Sequence, residues 1–348
     1  SGNSLTGIGT LSEIDDCLPE GNLVTPFVND LLDKAKVALR KIANINDATI
    51  KDIEKARDAS IAAEENLVPL RRLFDLLVLH RAGLLEIDLF NLMDEEIVLR
   101  THQRVEVQEY LAVLNPVHFP IQFPEIFGGS GQEGFTSILG NPPWEEVMVD
   151  KDSFWTVKSP GEGLARLPKM QRDERIEELI DLFPQHYEEF CDQTEMMTII
   201  RECLSQNDYP DFNTGNADLY KAFNWRFWNL CSHAGTIGVV LPGNILIGKG
   251  SGTWRKKIIE NGDFIEITQL VNDSKGWVFD GLSGGWKVAL VSIRKTGQHD
   301  DSIEIRGAYK SLEEYRSGVA IPGVELPAKG VLEWTEVAMF PEISSGDM

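Results

Sequence analysis

The sequence predicts an α/β fold, a Rossmann-like sheet with a helical N-terminal region and a helical insertion. Three observations predict it. Apolar residues recur at spacings of three and four among charges over residues 25–110, the mark of helices with one buried face. After Asn115-Pro116 the texture changes to short apolar runs punctuated by Gly and Pro, as buried strands read. Helical stretches separate the first of these runs from the next, and strand, helix, strand is the grammar of a doubly wound sheet.

The helical region, residues 1–115, comes first. Val37, Leu39 and Ile42, then Leu70, Leu73, Leu76 and Leu77, recur at helical spacings among charges. Residues 50–67, rich in Ala and Glu, suit a coiled-coil-like hairpin, although the heptad is too short to require one. Packing or spacing is the role such a segment implies.

Four apolar runs follow in the second region, residues 116–310: 134–140, 236–242, 264–271 and 286–293. A helical insertion, about 151–214, separates the first from the second. A helix over 217–231 leads into the second run. Residues 311–348 carry little periodicity and read as an irregular tail.

Composition narrows the function. The chain has 348 residues, 42% of them hydrophobic, enough for a sizeable core. Acids outnumber bases 55 to 33, for a formal charge of -22. Nucleic-acid affinity comes mostly from Lys and Arg set against phosphates, so a body this acidic can hold DNA only at a local basic patch. The four cysteines are scattered without a CxxC pair, which argues against a zinc ribbon or a disulfide framework and fits a reducing cytoplasm. No run approaches the roughly 20 apolar residues of a membrane helix, and no signal peptide is visible.

The chemistry sits at the end of the first run, where Asn141-Pro142-Pro143-Trp144 follows Ile138-Leu139-Gly140. A bare Asn-Pro-Pro is an ordinary turn. Here it leaves a strand at the carboxyl edge of the sheet, where open α/β sheets bind ligands. Each proline fixes its own φ and lacks an N–H, so the loop presents carbonyl acceptors in a rigid frame.

An exocyclic amine is a poor nucleophile because its lone pair is delocalised into the ring. A site that accepts both amine protons lets the nitrogen become tetrahedral and frees that pair. Asn141 Oδ1 and the Pro142 carbonyl suit this task, and Trp144 offers a face for a planar base.

These residues, with 118–127 and Gly134-Phe135 ahead of them, and Gly215–Tyr220, Gly235–Gly238, Leu241-Pro242 and Trp254-Arg255 behind, resemble the large amino-methyltransferases of restriction-modification and phage-defence systems. The resemblance is to the Eco57I-like class and the related adenine methylases of BREX and DISARM systems. It implies transfer of a methyl group from S-adenosylmethionine to adenine N6 in double-stranded DNA, with cytosine N4 and a protein glutamine amide as lesser targets. It also implies that Phe279 is a second aromatic against the flipped base, with Trp277 as the fallback.

In one respect the chain departs from that family. Such cofactor sites use a strand, a glycine-rich turn and an acidic residue ending the next strand, and none of these precedes Asn141. The sheet is therefore expected to hold later strands only. Phe127-Gly-Gly-Ser-Gly131 lies too close to the catalytic loop to serve, and Phe279-Asp-Gly-Leu-Ser-Gly-Gly285 has no long helix after it. The cofactor-binding residues are left unassigned, and a missing half, or a recognition or nuclease subunit, is the expected partner. The competing expectation is an inert scaffold that keeps the catalytic loop without a cofactor site.

Other candidates carry less. The six histidines make no metal-spaced pair, so no metal is expected. Lys249–Lys257 is the most basic glycine-containing stretch, and Arg255, Lys256 and Lys257 could touch phosphates; a solvated loop and helix start is the plainer reading.

Overall fold

The computed structural model describes residues 2–18, 24–43, 50–127, 134–273, 276–280, 284–296 and 302–341. Residues 128–131 of the first glycine-rich segment and 281–283 of the second lie outside them.

Helices Val24–Ala43 and Ile50–Arg81 pack along one another and meet the shorter Glu95–His102 and Val105–Leu114. Their apolar faces converge on one core, with Val28, Leu32, Leu70, Phe74 and Leu77 all buried. Asn115 takes the left-handed conformation (φ 42°) and ends the last of these helices, a cap that Asn tolerates well.

Two of the histidines have work here. Asp75, on helix Ile50–Arg81, accepts from His102 Nε2 at 2.9 Å and from His118 Nε2 at 3.0 Å. His118 Nδ1 in turn accepts the Ile8 N–H at 3.1 Å. The chain start, a helix and the approach to the sheet are thereby tied to a single carboxylate.

Six strands form one sheet in the order β1-β2-β4-β3-β5-β6, with β1 Phe135–Gly140, β2 Cys231–Pro242, β3 Asp263–Val271, β4 Lys287–Arg294, β5 Ser302–Tyr309 and β6 Val324–Pro327. β1 and β2 are parallel, and β4 runs antiparallel between β2 and β3. Every expected strand is present. Along β4, Ala289, Val291 and Ile293 face one core while Val288 and Leu290 face another, the period-two alternation of a strand buried on both sides.

β1 is the exception. It forms an outer edge, and Thr136, Ser137 and Leu139 are exposed, Leu139 to 89%. Among the described residues no strand pairs with its free side, so its outward backbone groups are an open template.

Helix Leu219–Leu230 feeds β2 as expected, and Arg226, fully buried upon it, reaches back to the chain start. Its guanidinium contacts Glu13 Oε1 at 2.8 Å and donates to the carbonyls of Leu5 (3.1 Å) and Gly7 (2.7 Å). The insertion holds helices Lys151–Lys158, Lys169–Leu182 and Pro184–Ser205, with a small core around Trp155, Ile176 and Leu179.

Residues 311–348, expected to be irregular, instead contain helix Leu312–Gly318, β6 and helix Ala328–Trp334. These elements are too short to show helical or strand periodicity, and they are held by the sheet edge rather than by their own pattern. No helix among the described residues is long and apolar enough to cross a membrane.

Candidate functional site

β1 delivers its last residue, Gly140, so close to helix Leu219–Leu230 that an added Cβ would lie 2.8 Å from the Phe227 ring. The chain must be bare there to turn into Asn141-Pro142-Pro143-Trp144. Pro142 is buried and anchors the loop, whereas Asn141 and Pro143 are exposed. Among the described residues the Asn141 side chain has no hydrogen-bond partner, so its amide is not spent on holding the fold.

The far end of the loop is pinned by backbone. Val147 donates to the Ala217 carbonyl and Leu219 to the Glu145 carbonyl, each at 2.9 Å. Lys221, almost fully buried, braces that segment by donating to the carbonyls of Thr214 (2.8 Å) and Asn216 (2.6 Å). Burial pushes the neighbouring Asp218 carboxyl above its ordinary range, against the pull of Lys221. Gly215–Tyr220, singled out by resemblance, is thus the strip on which the loop closes.

Trp144 and Phe279 meet edge to face, with ring centroids 5.7 Å apart and planes at 87°. Both pack on the sheet face that carries Val240, Leu270, Val288 and Leu290. Trp144 Nε1 is buried and has no partner among the described residues. Trp277, the fallback, is otherwise engaged, because its Nε1 donates to the Val271 carbonyl at 2.8 Å.

Sequence reasoning missed Asn272, which holds Phe279 in place. It is 1% exposed and sits just past β3. Its Oδ1 accepts from Val278 N (3.1 Å) and Phe279 N (3.4 Å), while Nδ2 donates to the Phe279 carbonyl at 3.2 Å. An Asn followed at +6 and +7 by a turn is a weak signal without the fold, because such amide-to-backbone bonds are common wherever a chain reverses.

The basic stretch resolves differently from either expectation for Arg255. Its side chain is 0% exposed and donates to the carbonyls of Ala338, Ile245, Gly248 and Val337. Burial pulls its pKa down to about 10. This guanidinium fastens the end of the described chain to the turn after β2, and its complete burial keeps it from a phosphate. Lys256 and Lys257 are half-buried.

S-adenosylmethionine does not fit the residues described. β1 is their first strand, every element before it is helical or irregular, and no strand followed by a glycine turn and a helix precedes Asn141. Among the described residues no cluster of His, Cys, Asp or Glu could hold a metal ion.

Residues 191–277 match the protein family described as Eco57I restriction-modification methylase. The matched stretch runs from helix Pro184–Ser205 to Trp277; Asn141 lies before it and Phe279 two residues after. The structure is similar to the modification subunit of a candidate type I restriction enzyme from Vibrio vulnificus YJ016, at 13% identity and a TM-score of 0.35 over 84% of this chain and 64% of that one. It is also similar to the type I restriction enzyme EcoKI M protein, at 11% identity and a TM-score of 0.28 over 90% and 68%. A third is a nuclease-deletion mutant of the type ISP enzyme LlaGI with a DNA substrate mimic, at 12% identity and a TM-score of 0.27 over 91% and 42%. The chain spans just under two thirds of the first of these. No curated protein matches it.

Proposed function

We propose that the chain supplies the base-accepting half of an S-adenosylmethionine-dependent DNA methyltransferase that acts on adenine N6 in double-stranded DNA, within a restriction-modification or phage-defence system. The observation that carries this reading is the exposed amide of Asn141, without a hydrogen-bond partner among the described residues, held at the carboxyl edge of the sheet beside the Trp144–Phe279 ring pair.

In this reading the target adenine leaves the duplex and lies against the two rings. Stacking of about 1–3 kcal/mol offsets much of the few kcal/mol that extrusion costs. Asn141 Oδ1 and the Pro142 carbonyl accept hydrogen bonds from the two N6–H groups, so the nitrogen can become tetrahedral with its lone pair freed; on gaining a methyl group it would release one of these protons to solvent. The acceptors are fixed beforehand, so no strong general base is required. The cofactor would supply an electrophilic methyl group and would be held outside the described residues, by sequence or a partner packed on the free side of β1, where a further strand can pair.

A second reading, an inert scaffold or assembly module, is favoured by the lack of a cofactor cradle among the described residues. Labelled methyl transfer separates the two. The chain is incubated with S-adenosylmethionine and duplex DNA, alone and with the polypeptide that completes the sheet, and the product nucleoside is identified. N6-methyladenine formed by the complex and abolished by Asn141→Ala supports the proposal. N4-methylcytosine would move the target, and no transfer by the complex would favour the scaffold.

A further inference from the structure

Trp286 stands out among aromatic residues that the site has not absorbed. It is 48% exposed, one residue before β4. Its backbone closes the ladder in a bulge: the Trp286 carbonyl accepts the Asn272 N–H at 2.8 Å, one step beyond the Val271–Lys287 pair, while the Asn272 carbonyl takes the N–H of Gly285 at 2.7 Å.

Two placements follow. By strand alternation Trp286 shares the face of Val288 and Leu290, the face on which Trp144 and Phe279 pack. Across the ladder it stands opposite Asn272, and residues so paired lie within side-chain contact on a common face. Asn272 is the residue whose amide holds Phe279. Trp286 thus lies at the solvent rim of the same aromatic face. Gly284-Gly285, exposed just before it, carry no side chains to screen the indole, and a Cβ on Gly285 would meet nothing within 4 Å.

We infer that Trp286 is a third ring of the site and stacks on an unpaired nucleobase at its mouth, next to the target base. This rests on the proposed methyltransferase reading and adds to it a contact that no chemical step requires. A ring that must meet any base needs a flat apolar face and free approach rather than hydrogen-bond donors, and those are what this position offers. The acidity of the chain adds weight to the contact, because a body with a formal charge of -22 gains little from phosphates and must hold unpaired bases by other means.

The test is a fluorescence titration of the full chain, at low salt, with a short single-stranded oligonucleotide carrying 2-aminopurine in place of adenine. Wild type, Trp286→Phe and Trp286→Ala are compared, with thermal unfolding as the check on folding. Trp286→Ala is expected to bind about 10-fold to 100-fold more weakly, and Trp286→Phe within a few-fold of wild type, since either ring can stack.

Binding by Trp286→Ala within twofold of wild type would overturn the inference. If Trp144→Ala and Phe279→Ala then still weaken binding, the site reading survives that failure. Unchanged oligonucleotide binding with lost association to the sheet-completing polypeptide would make Trp286 a protein contact instead, and would also overturn it. No binding by wild type overturns the stacking role outright, while the methyl-transfer assay still judges the enzyme reading.

Discussion

The Asn272 side-chain amide donates to the carbonyl of Phe279 at 3.2 Å, while its oxygen takes the Phe279 N–H. One buried side chain therefore grips both backbone groups of the residue that meets Trp144.

Removing that grip should loosen the ring pair. Asn272→Ala removes the bonds to the half-buried Val278 and Phe279 backbone and is expected to cost about 1–3 kcal/mol in urea unfolding. Asn272→Asp keeps the acceptor but loses the donor to Phe279. It also sets a buried carboxylate oxygen against the Phe279 carbonyl, so it should change the near-ultraviolet circular dichroism of the Trp144–Phe279 pair and cost at least as much stability. An unchanged spectrum in both variants would mean that the turn holds itself.

Asn141 should behave in the opposite way. It is exposed and without a partner among the described residues, so Asn141→Ala should leave the thermal midpoint within a degree or so of wild type, as an exposed site warrants. Methyl transfer by the completed complex should fall by about 100-fold to 1000-fold, the usual scale for one lost preorganised group. A large shift in the midpoint would place Asn141 in the fold rather than in the chemistry.

Stability should fall on the acid side. Burial raises the Glu13 carboxyl, but Arg226 and Arg81 outweigh it and hold the group below its ordinary value of 4.5. Burial likewise raises Asp75, and the bonds from His102 and His118 hold it below its ordinary 3.8. Both carboxyls are thus depressed in the fold. Their contribution is complete above those ordinary values and is lost as pH falls through the lower folded ones. Urea midpoints should decline as pH drops from about 5 to 3, and Glu13→Gln with Asp75→Asn should flatten that decline while lowering the plateau. At neutral pH, Glu13→Ala should cost about 3–5 kcal/mol, because it strands a buried guanidinium.

Arg255 and its neighbours should separate cleanly. Arg255→Ala orphans four carbonyl acceptors and should cost about 3 kcal/mol or more, and Arg255→Lys should recover little because an ammonium lacks the planar fork. Lys256→Ala with Lys257→Ala should instead leave stability almost intact. If these lysines meet phosphates in the completed complex, the salt dependence of DNA binding should fall by about one unit per lysine.

The sequence made the strands legible where burial on both faces produced unbroken apolar runs, as in β2 and β4. It made the Asn141–Trp144 loop legible because two prolines after a strand leave few conformations. β5 and the elements after it escaped notice, although Ser302–Tyr309 alternates buried and half-buried residues along its whole length. Arg255 was misread because a basic residue among glycines suggests solvent, and only the fold brings Val337 and Ala338 beside it. Asn272 was invisible for the same reason: its partners are near in sequence, but the need to hold Phe279 exists only once Trp144 arrives from another element.

The link between Glu13 and Arg226 also bears on heredity. The change of texture near residue 115 invites a view of two cassettes that recombination could exchange. Yet the opening residues lend two carbonyls and a carboxylate to a cation inside the other region, and Asp75 clasps His118 beyond the apparent seam. A chimera joined there would inherit a lock without its key unless residues 5–13 came from the same parent as helix Leu219–Leu230.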